Sequence, residues 1–494
     1  MVSSLDYAAI AVAGFLVYKI TTRKTSGYPL PPGPKGLPIV GSAFEMPKTR
    51  AWQTFSDWGD VWGPIMSFTA IGQTFVLVSD HKVAEELLGK TGSLFADRPT
   101  MEMAELTGWS RALSAARYKR DSGVSEIDRS EDYQANMFLK RVLDNPTDPA
   151  AATRKTAGAM ILHITYGYKR RGRDPLVKLA DDALAEFSDI TRPGAYIVEF
   201  FPFLKHIPLW FPFFSFHKRA AACRKNCDAL SEAPFAFCKK QVASGDENDS
   251  YCAALLKDET ITESHMEDLK WSAASFYGAG ADTTVSVVYC YFLACCLFPE
   301  VQAKAQAEIE AVVGNDRLPS FQDQKSLPYI DALVKELYRW LPIVPLAVPH
   351  RAMQDSVFQG YFIPKDTNVI ANVWKFLHDP TVYKDPMSFN PERFLGPNPE
   401  PAPQDRGLFG YGRRTCPGLY LSQAEVSVWI NVVKAVAGLQ VECAVDGNGQ
   451  KIVPVPDITD GSHYSPCGIQ VRSEATITTS ITTAGRGIEQ CRKV

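Results

Sequence analysis

The sequence has no basic block, no acidic tail, no internal repeat and no low-complexity tract. With a net charge of −3 and both signs mixed along the chain, nothing points to nucleic acid as a partner. No Cys-x-x-Cys pair occurs among the eleven cysteines, and Cys223 and Cys227 have no second pair at zinc-finger spacing. An odd cysteine count in so long a chain does not read as a small secreted disulfide scaffold. The thiols are expected to be reduced and mostly buried as small apolar residues. What is present is mass and apolar content: 494 residues, 46% hydrophobic, enough for a large core.

Leu5 to Ile20 is apolar apart from Asp6 and Lys19, and Arg23 and Lys24 follow. As a helix it spans about 24 Å, slightly short of a hydrocarbon core of about 30 Å. Snorkelling by Lys19 and a thin reticulum-type membrane would ease the mismatch. A cleaved signal peptide is the competing reading, but the positive charges follow the apolar run instead of preceding it. Residues 1–22 are therefore expected to be a single-pass anchor with the body in the cytoplasm. On that topology the sequon Asn248-Asp249-Ser250 stays unmodified. Residues 23–38 include Leu30-Pro31-Pro32-Gly33-Pro34-Lys35-Gly36-Leu37-Pro38, an extended, stiff linker. The body is placed at 39–473, and the Thr-rich 474–494 is expected to be a tail.

The body reads as mainly α with small β-sheets. The spacing predicts a long helix from a capping box at Ser264-His265-Met266-Glu267 to the residues before Pro299. Its middle is apolar nearly all round, so it should cross the interior. A second helix is predicted over Tyr329 to Leu341, and strands at Ile71–Ser79, Val344–Val348, Val357–Ile363 and Asn368–Ala371.

Five motifs follow one another. Ala279-Gly280-Ala281-Asp282-Thr283-Thr284 lies inside the long helix, where a glycine costs about 1 kcal/mol relative to alanine and suggests a close approach. Glu336-Leu337-Tyr338-Arg339 puts an acid and a base on one helix face. Val348-Pro349-His350-Arg351 and Pro391-Glu392-Arg393-Phe394 come next. The last is Phe409-Gly410-Tyr411-Gly412-Arg413-Arg414-Thr415-Cys416-Pro417-Gly418.

That last run matches F-x-x-G-x-R-x-C-x-G at all five fixed positions, and the chain resembles the cytochrome P-450 family over about residues 30 to 473. The pattern is most similar to fungal microsomal members of secondary metabolism or xenobiotic oxidation, of the O-methylsterigmatocystin oxidoreductase type. The resemblance implies the family fold, a haem b, and Cys416 as axial ligand to its iron. The residues give this a physical logic. Pro417 suits the first position of a helix, whose free N–H groups would favour a thiolate at Cys416. Gly412 and Gly418 would let the backbone turn and approach the porphyrin. Arg414 could pair with a propionate, and Phe409 would pack beside the sulfur.

By the same resemblance, Glu336, Arg339 and Arg393 form a structural ion network, and His350 either meets a propionate or is an ordinary surface histidine. Thr283 would hydrogen-bond dioxygen and Asp282 would help deliver protons, against the plainer reading of a threonine bonded to its own helix. Phe276, Val344, Leu346 and Val348 are candidate pocket walls for a lipophilic substrate. The expected partners are that substrate, the membrane, and an NADPH–cytochrome reductase with cytochrome b5 as a further donor. Glu199 to Phe216, with eight aromatics and three prolines, could roof the pocket, dip into the membrane surface, or be core.

One stretch departs from the family pattern. Tyr118 to Ser130 has no Trp and no amphipathic stripe where the family carries a haem-flanking helix, and Trp109 and Arg111 lie too early to replace it. A loop is expected there. The leading function is reductive activation of O2 and oxygen insertion into a lipophilic molecule. The rivals are reductase-free haem chemistry, which the Asp282-Thr283 pair argues against, and a degenerate or incompletely specified haem binder, which only 118–130 supports.

Overall fold

The structure, a computed structural model, describes residues 27–47, 49–116, 131–144, 149–168, 175–191, 195–207, 215–258, 260–420, 423–443, 445–454 and 478–480. The expected anchor at 1–22 and the stretch Tyr118 to Ser130 lie outside the described residues. The chain divides into two compact units. One takes Met1–Thr100, Leu346–Phe376 and Gly410–Thr415; the other takes Met101–Pro345, Leu377–Phe409 and Cys416–Val494.

The first unit is built on β-structure: β1 (Ile65–Ala70), β2 (Gln73–Val78), β3 (His350–Arg351), β4 (Ser356–Phe358), β5 (Tyr361–Ile363) and β6 (Asn368–Ala371). β1 and β2 are antiparallel, β2 and β6 parallel, and β3 closes the order β1-β2-β6-β3. The strand expected from Ile71 starts two residues later, because Ile71 and Gly72 turn the hairpin with φ of 45° and 76°. Likewise Gln359 and Gly360, both at positive φ, split the run 357–363 into the β4–β5 hairpin. Val344–Val348 forms no strand. Pro342, Pro345 and Pro349 punctuate it, removing ladder donors, and Ala347 sits at φ 52°. The proline-rich run is docked against the first unit's strands. Ser67 donates to Pro31 O through Oγ and to Pro32 O through its N–H, and Phe362 N–H donates to Pro29 O. A Cβ on Gly33 would meet Ser67 O at 1.8 Å, so the glycine is what lets the linker lie so close.

Helices make up most of the second unit. The central one, Met266–Leu297, runs 32 residues. Its cap differs from the expected box: Thr262 and His265 form it, with Thr262 N–H donating to His265 Nδ1, ahead of a 3-10 turn at Glu263–His265. Glu267 instead accepts from Trp271 Nε1 at 2.9 Å. Along this helix lies Pro149–Tyr166, and a Cβ on Gly280 would meet Ile161 Cγ1 at 2.5 Å. The close approach that the glycine suggested is therefore helix–helix packing. The helix Pro328–Trp340 buries Ile330, Leu333 and Leu337 in a cluster shared with Val287, Tyr291 and Trp429. Six cysteines, from Cys223 to Cys295, are buried thiols in these clusters. The Thr-rich C-terminal stretch contributes β8 (Thr478–Ser480), paired with β7 (Gln440–Glu442). Among the described residues the central helix is the one long and apolar enough to cross a membrane, and most of it is buried within the unit.

Candidate functional site

In the second unit, Cys416 stands immediately before a helical turn, Pro417–Tyr420. Its N–H donates to Phe409 O at 2.7 Å, closing the loop on itself. Leu419 N–H donates to the Cys416 carbonyl at 3.1 Å, opening that turn. The nearby main-chain N–H groups of Gly418 and Leu419 act to lower the thiol pKa, the effect expected of a helix start. The net shift is nevertheless upward, because burial among protein atoms outweighs them. Solvent still reaches the residue, which is exposed. The Phe409 ring lies 6.1 Å from that of Tyr338.

The central helix presents one accessible stripe. Tyr277, Gly278, Ala281 and Thr284 are buried, while Ala279 is exposed and Phe276 and Thr283 are partly so. Thr283 Oγ1 donates to Ala279 O at 2.8 Å, the bond of a threonine to its own helix. The side chain of Asp282 lies outside the described residues. Phe276 packs edge-on against Tyr251, with centroids 4.9 Å apart. Val344 is half-buried against the core of the same unit.

Behind these, Glu336 and Arg339 are fully buried and joined in a fork: Nε to Oε2 at 2.7 Å and Nη2 to Oε1 at 2.8 Å. Arg393 Nε also donates to Glu336 Oε1, at 3.2 Å, and its Nη1 to Glu400 Oε2 at 2.6 Å. Arg339 reaches the carbonyls of Leu377, Pro386 and Ser388. Two arginines thus meet two carboxylates and a set of main-chain acceptors, which is what lets such charges be buried. Glu400 was not among the residues singled out. Its only signal was its position seven residues after Arg393.

In the first unit, Arg414 Nε donates to Ala96 O at 2.6 Å. Gly412 has φ 56°, and a Cβ there would meet Leu88 O at 2.4 Å, so its backbone lies against another main chain. His350 is buried, correcting the surface alternative. Its Nδ1–H donates to Phe95 O at 2.8 Å, which assigns the lone pair of the neutral ring to Nε2. Burial, then the nearby guanidiniums of Arg98 and Arg414, push its pKa down to about 3. In this state Nε2 donates to nothing; it would give a hydrogen bond to a carboxylate only after taking up a proton. Arg98, not among the residues picked out from the sequence, is buried and holds Val348 O at 2.8 Å and Pro349 O at 3.0 Å. Leu346 is buried and Val348 half-buried in this unit.

Each unit, taken by itself, carries groups of a kind that a haem takes. Among the described residues no three His, Cys, Asp or Glu side chains gather to hold a metal ion on their own. A single thiolate suits an iron whose equatorial ligands come from a porphyrin. Two guanidiniums whose field depresses a buried histidine suit carboxylates such as propionates. Comparison with known sequences decides the matter: the cytochrome P450 family profile matches residues 31–121 and 126–433. The chain belongs to the cytochrome P450 family.

Members hold a haem b through a cysteine thiolate, and this protein is a haem monooxygenase of that kind. It is 40% identical over 489 residues to cytochrome P450 monooxygenase 208 of Postia placenta, covering 94% of this chain and 95% of that one. It is 36% identical to cytochrome P450 monooxygenase claR of Ampulloclitocybe clavipes, over 96% of this chain and 91% of that one. It is also 36% identical to the O-methylsterigmatocystin oxidoreductase of Aspergillus flavus, covering 86% and 85%. Matches of this extent favour a working monooxygenase over a degenerate haem binder. The profile match breaks only at 122–125, inside the stretch that departs from the family pattern.

Proposed function

We propose that this cytochrome P450 is anchored in the endoplasmic reticulum membrane by residues 1–22, with its body in the cytoplasm. There it takes electrons from an NADPH–cytochrome reductase, with cytochrome b5 as a further donor, and oxidises a lipophilic small molecule. The observation that carries the reading is Cys416, an exposed cysteine immediately before a helical turn, in a loop closed by its own N–H on Phe409 O.

When bound, the haem supplies activation of dioxygen. Cys416 would hold its iron, and the main-chain N–H groups of Gly418 and Leu419, which act to lower the thiol pKa, would favour its thiolate. Phe409 and Gly412 hold the loop, the first by accepting the Cys416 N–H and the second by its left-handed backbone. Arg414 and Arg98 would hold the propionates, and His350, neutral with a pKa of about 3, would join them only where their charge lets it take up a proton. Thr283 holds a proton at Oγ1, resting on Ala279 O, and rotation about χ1 redirects it outward. Asp282, next in the chain, resupplies that proton. Phe276, Val344, Leu346 and Val348 exclude water and bind the apolar substrate. The Glu336–Arg339–Arg393 network is structural.

The test is reconstitution in microsomes with NADPH, reductase and a panel of lipophilic aromatic compounds under labelled dioxygen. Products carrying one labelled oxygen, formed only with NADPH and reductase, support the reading. Turnover independent of reductase or without label would replace it with the reductase-free alternative.

A further inference from the structure

Two half-buried cysteines meet at the end of the central helix. Cys443, immediately after β7, donates from its thiol to the carbonyl oxygen of Cys296, with Sγ 3.3 Å from that oxygen. The carbonyl belongs to the last turn of Met266–Leu297, where a helix leaves its acceptors without N–H partners of their own. The Cys443 thiol also lies close enough to that of Cys296 to alter its titration. Both residues are partly open to solvent.

A bond network without sulfur holds the pair together. Gln302, fully buried on the helix Pro299–Val312, grips β7 with its side-chain amide. Its Nε2 donates to Val441 O at 3.3 Å, and its Oε1 accepts the Val441 N–H at 2.9 Å. Cys443 follows two residues later, so its approach to the helix end is fixed by the main chain. The other described cysteines differ. Those from Cys223 to Cys295 are buried, closed to an oxidant arriving in solvent, and Cys416, which is exposed, belongs to the haem loop. Among the described residues, Cys296 and Cys443 are the neighbouring thiols that solvent can reach.

We propose that Cys296 and Cys443 form a site of reversible oxidation, at which hydrogen peroxide converts the two thiols into a disulfide that fastens β7 to the end of the central helix. Cys443 reacts first. Its sulfur takes one peroxide oxygen as the O–O bond breaks, giving a sulfenic acid, and the other oxygen leaves as water. The Cys296 sulfur then attacks that of Cys443. An S–S bond forms, the S–O bond breaks, and the hydroxyl leaves with the Cys296 proton as a second water. Two electrons and two protons have passed from the thiols to the peroxide. The order follows from burial, which, with the neighbouring Cys443 thiol, pushes the Cys296 pKa up and makes it the poorer first nucleophile. Thiol exchange reverses the reaction. The bond joins positions 147 apart in sequence, so it removes much freedom from the unfolded chain and stabilises the fold.

The test treats the haem-loaded full chain with hydrogen peroxide, quenches it in acid, alkylates the remaining thiols and maps the peptides by mass spectrometry. The peptides carrying Cys296 and Cys443 are expected to appear linked, two hydrogen atoms lighter than their sum, with fragmentation placing the bond at Cys296 and not at Cys295. Buried Cys290 should stay alkylated. A phosphine reductant should separate the linked peptides and lower the thermal midpoint of the oxidised sample, whereas Cys443→Ser treated in the same way should show no such fall. Wild type that keeps both thiols alkylated after peroxide overturns the proposal, whether or not the variant folds. So does a bond from either residue to a different cysteine, or a linked sample whose thermal midpoint the reductant leaves unchanged.

Discussion

Thr283 and Ala279 are one helical turn apart and joined by a hydrogen bond, the threonine hydroxyl giving its proton to the alanine carbonyl at 2.8 Å. Both lie on a stripe of the central helix that is not fully buried. The bond parks the proton without using it up. Thr283→Ala is expected to fold and bind haem and substrate, since it removes an accessible hydroxyl and leaves no buried group unsatisfied. NADPH consumption should continue while its yield of product falls severalfold and peroxide or water rises. The ratio of product to NADPH decides; an unchanged ratio removes Thr283 from proton delivery.

Cys416→Ser and Cys416→Ala are expected to abolish the reduced, CO-bound spectrum of a thiolate-ligated haem. The serine variant keeps the loop, because the closing bond to Phe409 O comes from the main chain. A variant that kept the thiolate spectrum would sink the central assignment.

Arg339→Leu leaves Glu336 buried with only Arg393 Nε and the Asn390 N–H as its remaining named donors. Breaking a buried pair in this way costs roughly 3–5 kcal/mol. The expected result is a large fall in thermal midpoint and loss of haem on heating, read by absorbance. Arg339→Lys should fare little better, since one ammonium cannot reproduce the two-pronged contact.

Gly280→Ala is expected to cost about 1–3 kcal/mol by overpacking, since the new methyl would sit 2.5 Å from Ile161 Cγ1. Ile161→Ala in the same chain should recover part of that loss. Thermal denaturation of the two single variants and the double variant measures the coupling; additive losses would mean the two helices do not meet here.

Asn248 is a poor reporter of topology. It is buried, and its side-chain nitrogen donates to Tyr166 O at 3.0 Å and Gln241 Oε1 at 2.8 Å. Gln450→Thr creates a sequon at the exposed Asn448 instead. In microsomes this variant is expected to carry no glycan. An upshift on a gel, removed by an endoglycosidase, would reverse the cytoplasmic orientation.

Legibility followed physical range. The central helix, the Pro328–Trp340 helix and β6 could be read because periodicity and proline act locally. The hairpin at Ile71-Gly72 and the loss of a strand at 344–348 depended on backbone φ values that composition hints at only weakly. Cys416 was legible because its motif packs five fixed positions into ten residues. The state of His350 was not, because it is set by Phe95 and Arg98, some 250 positions away in sequence. Gly280 was read correctly as a close approach, but its neighbour Ile161 lies on another helix.

The central helix has a consequence for synthesis. Thirty-two residues long and apolar on nearly every side, it meets by composition the same standard as a membrane span. With the membrane anchor proposed for residues 1–22, it would present a second apolar span to the membrane before its neighbours exist. Helices such as Pro149–Tyr166 emerge earlier and can cover it, whereas the Gln423–Gly438 helix emerges more than a hundred residues later. On that proposal, burial of this helix within the protein depends on the order and speed with which its packing partners leave the ribosome.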